Sequence, residues 1–437
     1  MPYVHLTTTC FANSLGGDGL DRTYFELMLD RLRAPLKDLQ AIQQDGKAAL
    51  FGLPAQRDDL AALAPVAEAF RANFDDVIVL ATGGSSLGGR ALVALAGPGY
   101  GAAAPTPRLH FLDNVDPHNF DALLGGLNLD RTGFLVISKS GRTAETLAQF
   151  LVSLDAVKVA AGEFAVAEHF TIITEPADNP LRRLADANDI QVLDHEPEIG
   201  GRYAALSVVG LLPAMIAGVD VVRVREGASE VLEALSRSEG PDASEPAIGA
   251  AISVGLARER DVGVTVMMPY ADRLADFALW FRQLWAESLG KGGNGTTPVQ
   301  ALGTVDQHSQ LQLYLDGPCD KMFTLIFVAG DGVGRRILPE GADDGELSYL
   351  AGHTLGDLME AEQQATAKSL VKSNRPTRIF RLKALDERAL GGLMMHFMLE
   401  TILAAALLGV DPFDQPAVEN GKALAREIGR ASCRERV

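Results

Sequence analysis

Apolar residues fall into short continuous runs of strand-forming residues, each followed by a longer stretch of helical period. Residues 76–81 (DVIVLA) predict a strand buried on both faces, and the Gly-Gly-Ser-Ser turn after it opens a helix. Further strands are predicted at 109–112, 133–138 (GFLVIS), 170–174 (FTIIT) and 190–193, with helices at 143–159 and 179–187. Such alternation implies βαβ units and a parallel sheet with helices on both faces. A long apolar helix is expected at 205–217, stopped by Gly218. The alternation then resumes with helices at 222–236 and 248–258, a strand at 262–268 and a helix at 273–289. Strands at 322–328 and 378–382 and helices at 356–373, 387–408 and 415–428 complete it. This predicts a second α/β domain, with the boundary near 218–221 and a surface loop at 238–246 (SEGPDASEP). The expected organisation is a helical N-terminal segment (1–73) packed on the second domain, a first domain (74–220), a second (221–410) and a C-terminal helix (411–428).

The most apolar long stretch, 393–410, carries His396 and Glu400 near its middle, so burial against protein is expected rather than a membrane span. The net charge of −18 repels nucleic acid and anionic membranes, and no partner of either kind is expected. An anionic substrate would need a local pocket of backbone N–H groups and isolated basic side chains. Cys10, Cys319 and Cys433 lie far apart, which suits a reducing compartment and argues against a disulfide framework or zinc cluster. Residues 1–13 lack the basic-then-apolar pattern of a secretion signal, so the cytoplasm is the expected location. Composition shifts abruptly at 429–437 (GRASCRERV), which reads as a non-native tail in place of the original terminus.

Six segments carry candidate chemistry. Residues 81–89 (ATGGSSLGG) follow a strand, where ligands of open α/β sheets bind; glycines admit an oxyanion to the backbone and the next helix offers free N–H groups. The spacing matches neither a dinucleotide fingerprint nor a Walker loop, and a plain tight turn is the alternative. Residues 138–146 (SKSGRTAET) bring four hydroxyls and Lys139 to another strand end, an anion cradle. A helix cap by Ser140 or Thr143 would explain one of those hydroxyls. Arg202, in GGRY, suits an oxyanion that develops during reaction, or a surface loop. Gln283 and Glu287 share one helix face; apolar neighbours such as Leu284 would raise the carboxyl toward the range of a general base, while a solvated helix residue is the commoner case. His308 sits among Asp306, Ser309 and Gln310, suited either to proton transfer or to plain exposure. Gln415 and Lys422 are about two helical turns apart and can face one pocket.

Together these segments resemble the glucose-6-phosphate isomerase family, in order, through GGSSLGG, SKSGRTAET, GGRYAALSVVGLLP, WAESLGK, TVDQHSQLQLYLDGP and VDPFDQPAVENGK. The resemblance implies two doubly wound sugar-isomerase domains, a homodimer with a shared active site, and no metal or organic cofactor. It implies reversible isomerisation of glucose 6-phosphate and fructose 6-phosphate through a cis-enediolate, with side activity on mannose 6-phosphate or a non-catalytic sugar-phosphate sensor as alternatives. Glu287 would move the proton, Arg202 would stabilise the enediolate, and His308 with Lys422 would open the ring. Ser138, Lys139, Ser140 and Thr143, with Gly84 and Ser85, would hold the phosphate. Gln283 and Gln415 would contact sugar hydroxyls or phosphate.

Overall fold

The computed structural model describes residues 1–97, 107–341 and 345–434, with two five-stranded sheets among them. One consists of β2 (Asp76–Ala81), β3 (Arg108–Leu112), β4 (Thr132–Ile137), β5 (Phe170–Thr174) and β6 (Gln191–Asp194), all parallel, in the order β3-β2-β4-β5-β6. Every residue of β2, β4 and β5 is buried, as strands sandwiched between helices require. The chain starts at β2, goes to β3 on one side and returns to β4 on the other. The order therefore reverses between β2 and β4, and that reversal opens a crevice at their carboxyl ends.

The second sheet runs β1-β10-β9-β7-β8, from β1 (Val4–Leu6), β7 (Val264–Pro269), β8 (Thr297–Gln300), β9 (Lys321–Val328) and β10 (Thr377–Leu382). Its order reverses between β7 and β9, and β1 adds to β10 as an antiparallel edge. The N-terminus is thus part of this sheet.

One local expectation needs correction. The run 205–217 is not one helix: Gly201–Leu206 is a 3₁₀ turn, and Ser207 is extended and caps a separate helix, Val208–Ile216, by accepting from Val209 N–H at 3.3 Å. Gly210 lets this helix fold back on the turn, since a Cβ there would lie 2.1 Å from the Ala205 carbonyl oxygen. β8 lies within the Gly-rich stretch 290–303, where four residues including Pro298 give little strand signal. The last helix, Ala417–Arg434, starts two residues after the predicted 415 and runs six past the predicted 428, and residues 435–437 lie outside the described residues.

The apolar helix Glu387–Leu408 is the centre of the second domain, buried along nearly its whole length. It crosses the helix Val221–Arg237 backbone to backbone: a Cβ on Gly391 would lie 1.8 Å from the Val224 oxygen, and one on Gly227 equally close to that of Arg388. Its polar residues are paired. Arg378 Nη1 donates to Glu400 Oε2 at 2.9 Å, His396 Nε2 lies 3.0 Å from the same oxygen, and Tyr3 Oη lies 2.7 Å from His396 Nδ1. All four side chains are buried, so Tyr3, the residue before β1, is tied to the core helix by a polar chain.

This burial makes stability acid-sensitive. Burial pushes His5 down to about 4 against the pull of Glu245, pushes His195 down to about 4, and lowers His396. These histidines stay neutral in the fold, while in the unfolded chain they take up protons below their ordinary value of 6.5. Stability is therefore full above pH 6.5 and falls as pH drops toward 4, by about 1.4 kcal/mol per pH unit for each proton. Burial also pushes Glu400 up, but Arg378 and His396 outweigh it and hold it at about 2, which extends the loss below pH 4.5. Unfolding midpoints measured from pH 7.5 to 4.5 should fall steadily below 6.5; a flat profile would contradict neutral burial.

Candidate active site

The loops after β2 and β4 flank the crevice of the first sheet. After β2, Gly83 adopts φ +59°, a conformation open to glycine, and stands at the cap of the helix Gly84–Val93 without a side chain to satisfy the first amides. A Cβ on Gly84 would lie 2.2 Å from the Gly201 carbonyl carbon. The two glycine pairs, GGSS and GGRY, therefore touch through their backbones, and this contact brings Arg202 to the crevice. Ser85 is half-buried one residue further on.

After β4, Ser138 is buried and its hydroxyl meets that of Thr143 at 2.9 Å. Thr143 occupies the cap position of the helix Ala144–Ala161 but makes no cap hydrogen bond, and Ser140 Oγ accepts from Arg142 N–H at 3.3 Å. The plain helix-cap alternative is thus not realised, and the first-turn N–H groups face outward for another acceptor. Gly141, at φ +58°, rests on Asn179, whose Oδ1 would lie 1.9 Å from a Cβ there. Asn179 is buried, donates to the Ala177 carbonyl at 3.0 Å and accepts from Arg182 N–H at 2.9 Å, so it buttresses the loop from below. Lys139 Nζ donates to the Pro197 carbonyl at 2.6 Å.

The helix Ala275–Leu289 crosses in front of these loops. Phe277, Trp280, Phe281, Leu284 and Trp285 turn into the core, which leaves Gln283 and Glu287 on the crevice side. Gln283 Nε2 donates to Glu287 Oε1 at 2.9 Å, and Arg202 Nη1 donates to Glu287 Oε2 at 3.2 Å. The expected apolar surroundings of Glu287 are absent: its carboxylate sits between a guanidinium and an amide, because its apolar neighbours face the other way.

Arg202 is 3% exposed and holds five acceptors. Nε reaches Ser288 Oγ at 2.9 Å, Nη1 reaches Glu287 and, at 2.6 Å, Gln415 Oε1, and Nη2 reaches the carbonyls of Pro412 (2.6 Å) and Asp414 (2.9 Å). Trp280 Nε1 fixes the Arg202 carbonyl at 3.1 Å. Burial pushes the Tyr203 hydroxyl up to about 12, so it remains a neutral partner of Ser288, 3.1 Å away. Lys291 joins the same assembly through the Asp411 carbonyl and, at 2.8 Å, the Asp414 carboxylate. Ser288, Lys291 and Asn179 escaped sequence reasoning: a buried hydroxyl, a tethering lysine and a loop buttress look like ordinary polar residues until the fold assembles them.

Two candidates remain. His308 is exposed on the short helix Val305–Ser309 and makes no hydrogen bond or ion pair among the described residues. That helix is held from within, with Gln307 Oε1 accepting from Tyr270 Oη and Thr366 Oγ1, each at 3.0 Å. Lys422 is exposed on the helix Ala417–Arg434. Among the described residues no group of three or more His, Cys, Asp or Glu side chains converges as a metal site would.

The model of the phosphoglucose isomerase family matches residues 61–320 and 341–436, which take in the whole first sheet, three strands of the second and every segment of the crevice. The chain belongs to the phosphoglucose isomerase family. A glucose-6-phosphate isomerase from Rubrobacter xylanophilus is 41% identical over 95% of this chain and 96% of its own length. A probable glucose-6-phosphate isomerase from Halobacterium salinarum is 47% identical over 74% of this chain and 73% of its own. A hypothetical protein from Thermus thermophilus superposes with a TM-score of 0.83 at 33% identity, covering 97% of this chain and 99% of its own. A glucose-6-phosphate isomerase from Chlamydia trachomatis shares the fold, with a TM-score of 0.82 at 22% identity over 99% of this chain and 89% of its own.

Proposed function

We propose that Glu287 is the base through which this member of the family works. The chain interconverts D-glucose 6-phosphate and D-fructose 6-phosphate. In the open sugar the proton on C2 lies α to the C1 aldehyde, so its removal needs a base and a counter-charge for the enediolate that forms. Glu287 takes that proton and returns it to C1, the hydroxyl proton passes from the C2 oxygen to the C1 oxygen so that C2 becomes the carbonyl, and Arg202 balances the negative oxygens between the two steps. The observation that carries this is the 3.2 Å pair of Glu287 and Arg202 at the mouth of the β2/β4 crevice. Ser138, Lys139, Ser140 and Thr143, with the backbone of Gly84 and Ser85, take the phosphate, which is remote from the chemistry and supplies orientation. Gln283 and Gln415 contact sugar hydroxyls. The steps call for no organic cofactor, and the cytoplasm, where sugar phosphates are found, is the compartment proposed.

The cradle is testable on its own. Ser138→Ala with Thr143→Ala should weaken inorganic phosphate binding at least tenfold, since each hydrogen bond to a charged group is worth about 1.5–3 kcal/mol. Unchanged affinity in titration calorimetry would move the phosphate elsewhere.

His308 and Lys422 are assigned to ring opening. His308 is exposed and without a hydrogen bond among the described residues, which supports a homodimer in which it enters the partner subunit's pocket. Glu287→Gln and His308→Ala homodimers, each inactive, should regain about a quarter of wild-type turnover after statistical subunit exchange. Half the dimers are then mixed, and each holds one pocket with both groups intact. Exchange proved by size measurement but without regained turnover would show that each site is built within one chain.

A further inference from the structure

The phosphate cradle and the base sit on different domains, so their distance depends on how two helices lie against each other. The helix Gly84–Val93 presents its first turn to the phosphate, and the helix Ala275–Leu289 carries Glu287. They touch at two levels. At one, Gly83 lies against Gln283, 3.0 Å from where a Cβ would stand. At the other, Arg90 Nη2 meets Asp276 Oδ1 at 2.8 Å while its Nη1 meets Asp113 Oδ2 at 2.6 Å. Gly83 and Arg90 are seven residues apart, as are Asp276 and Gln283. The helices therefore run antiparallel, with contacts about two turns, or roughly 10 Å, apart on both.

We propose that Arg90 is a positioning residue for the isomerisation: its fork across Asp113 and Asp276 sets where the base helix stops along the phosphate helix. The contact at Gly83 is close packing without a charged hydrogen bond, whereas the contact at Arg90 is a charged fork between two carboxylates, each side chain about a quarter to a third exposed. Both ends also suit their helices. Asp276 lies in a first turn and Arg90 in a last turn, where the helix dipole favours their charges. Loss of the guanidinium would leave two carboxylates facing one gap and push the base helix away. A slip of one residue moves Glu287 by about 1.5 Å along the helix, and displacement of about 1 Å at a reacting group costs on the order of a hundredfold.

This rests on Glu287 as the base and on the Gly83–Gly84 turn as part of the phosphate site. The test is steady-state kinetics of full-length Arg90→Gln and Arg90→Lys, with inorganic phosphate as competitive inhibitor and thermal midpoints alongside. Arg90→Gln should lower kcat at least tenfold and change KM and the phosphate inhibition constant less than twofold, because the cradle belongs to the first domain alone. Arg90→Lys, which keeps a charge but not the fork, should fall between Arg90→Gln and wild type. The double variant Arg90→Asp with Asp276→Arg rebuilds the pair in reverse and should recover part of kcat. A lower thermal midpoint with kcat unchanged would overturn the proposal, since that is a structural role. A phosphate constant that weakens together with kcat would also overturn it, by placing Arg90 in support of the cradle. Glu287→Gln measured in parallel separates the two ideas: if it stays active, the base assignment fails and not the strut.

Discussion

Glu287→Gln should lower kcat by about a hundred- to ten-thousandfold, with KM and the unfolding midpoint close to wild type. The change keeps the shape of the side chain and removes one acceptor. Glu287 now accepts from Gln283 Nε2 and from Arg202 Nη1. An amide offers one oxygen, and the guanidinium, as the charged donor, should keep it. The new NH₂ then faces Gln283, whose Oε1 is buried without a partner, so a rotation of that amide restores the hydrogen bond. The fold therefore tolerates the variant, and the loss falls on proton transfer. The reading is exchange of the C2 proton with deuterated solvent, together with turnover. Exchange near the wild-type rate would transfer the base role to another residue.

The strands of the first sheet are legible in the sequence because burial on both faces leaves an unbroken apolar run such as DVIVLA or FTIIT, and those two strands have the predicted bounds. Short edge strands carry no such run: β1 has three residues and β8 four, one of them proline. The helix break at Ser207 was hidden by the apolar residues on both sides of it, although a serine before a helical run is a cap signal. In the site, spacing was enough to put Gln283 and Glu287 on one face, but it could not say which way the apolar face turned. That orientation, which gives Glu287 polar neighbours instead of the expected apolar ones, is decided by Trp280, Phe281, Leu284 and Trp285 packing into the core.

Both sheets reverse their strand order, yet the candidate chemistry gathers at only one reversal, and packing explains why. At the second, Tyr270 follows β7 and is buried, with its ring 2.4 Å from where a Cβ of Gly303 would stand. Its hydroxyl reaches Gln307 beside His308. The aromatic ring packs on the chain that follows β8 and holds the His308 helix. At the first reversal the corresponding positions are Thr82, Gly83 and Gly84, and the glycines let the Gly201 backbone and the Gln283 side chain approach closely.

Arg202→Lys should cost about 10²–10³ in kcat, the range for loss of a group that stabilises a developing oxyanion, and should also loosen the chain beyond residue 410. Both follow from one side chain. The guanidinium is 3% exposed and its donors are divided between the Glu287 carboxylate on one side and Pro412, Asp414 and Gln415 on the other. Lysine carries the same charge as a single point with three donors and cannot span a fork of five acceptors. Even with the Tyr203 hydroxyl donating to Ser288 Oγ or to the Pro412 carbonyl, at least one of the five would be left without a donor, at about 1–3 kcal/mol where burial is complete. The segment after Val410 would then keep Lys291, through Asp411 and Asp414, and Tyr203, through the Pro412 carbonyl and the Phe413 ring, but would lose its charged fork. Hydrogen exchange at residues 411–425 should therefore quicken in Arg202→Lys and remain slow in Glu287→Gln, although both lose turnover. Normal turnover in Arg202→Lys would remove the arginine from the chemistry. Lost turnover with exchange as slow as wild type would leave the counter-charge in place and assign the tethering of the C-terminal segment to contacts other than the arginine, Lys291 and Tyr203 among them.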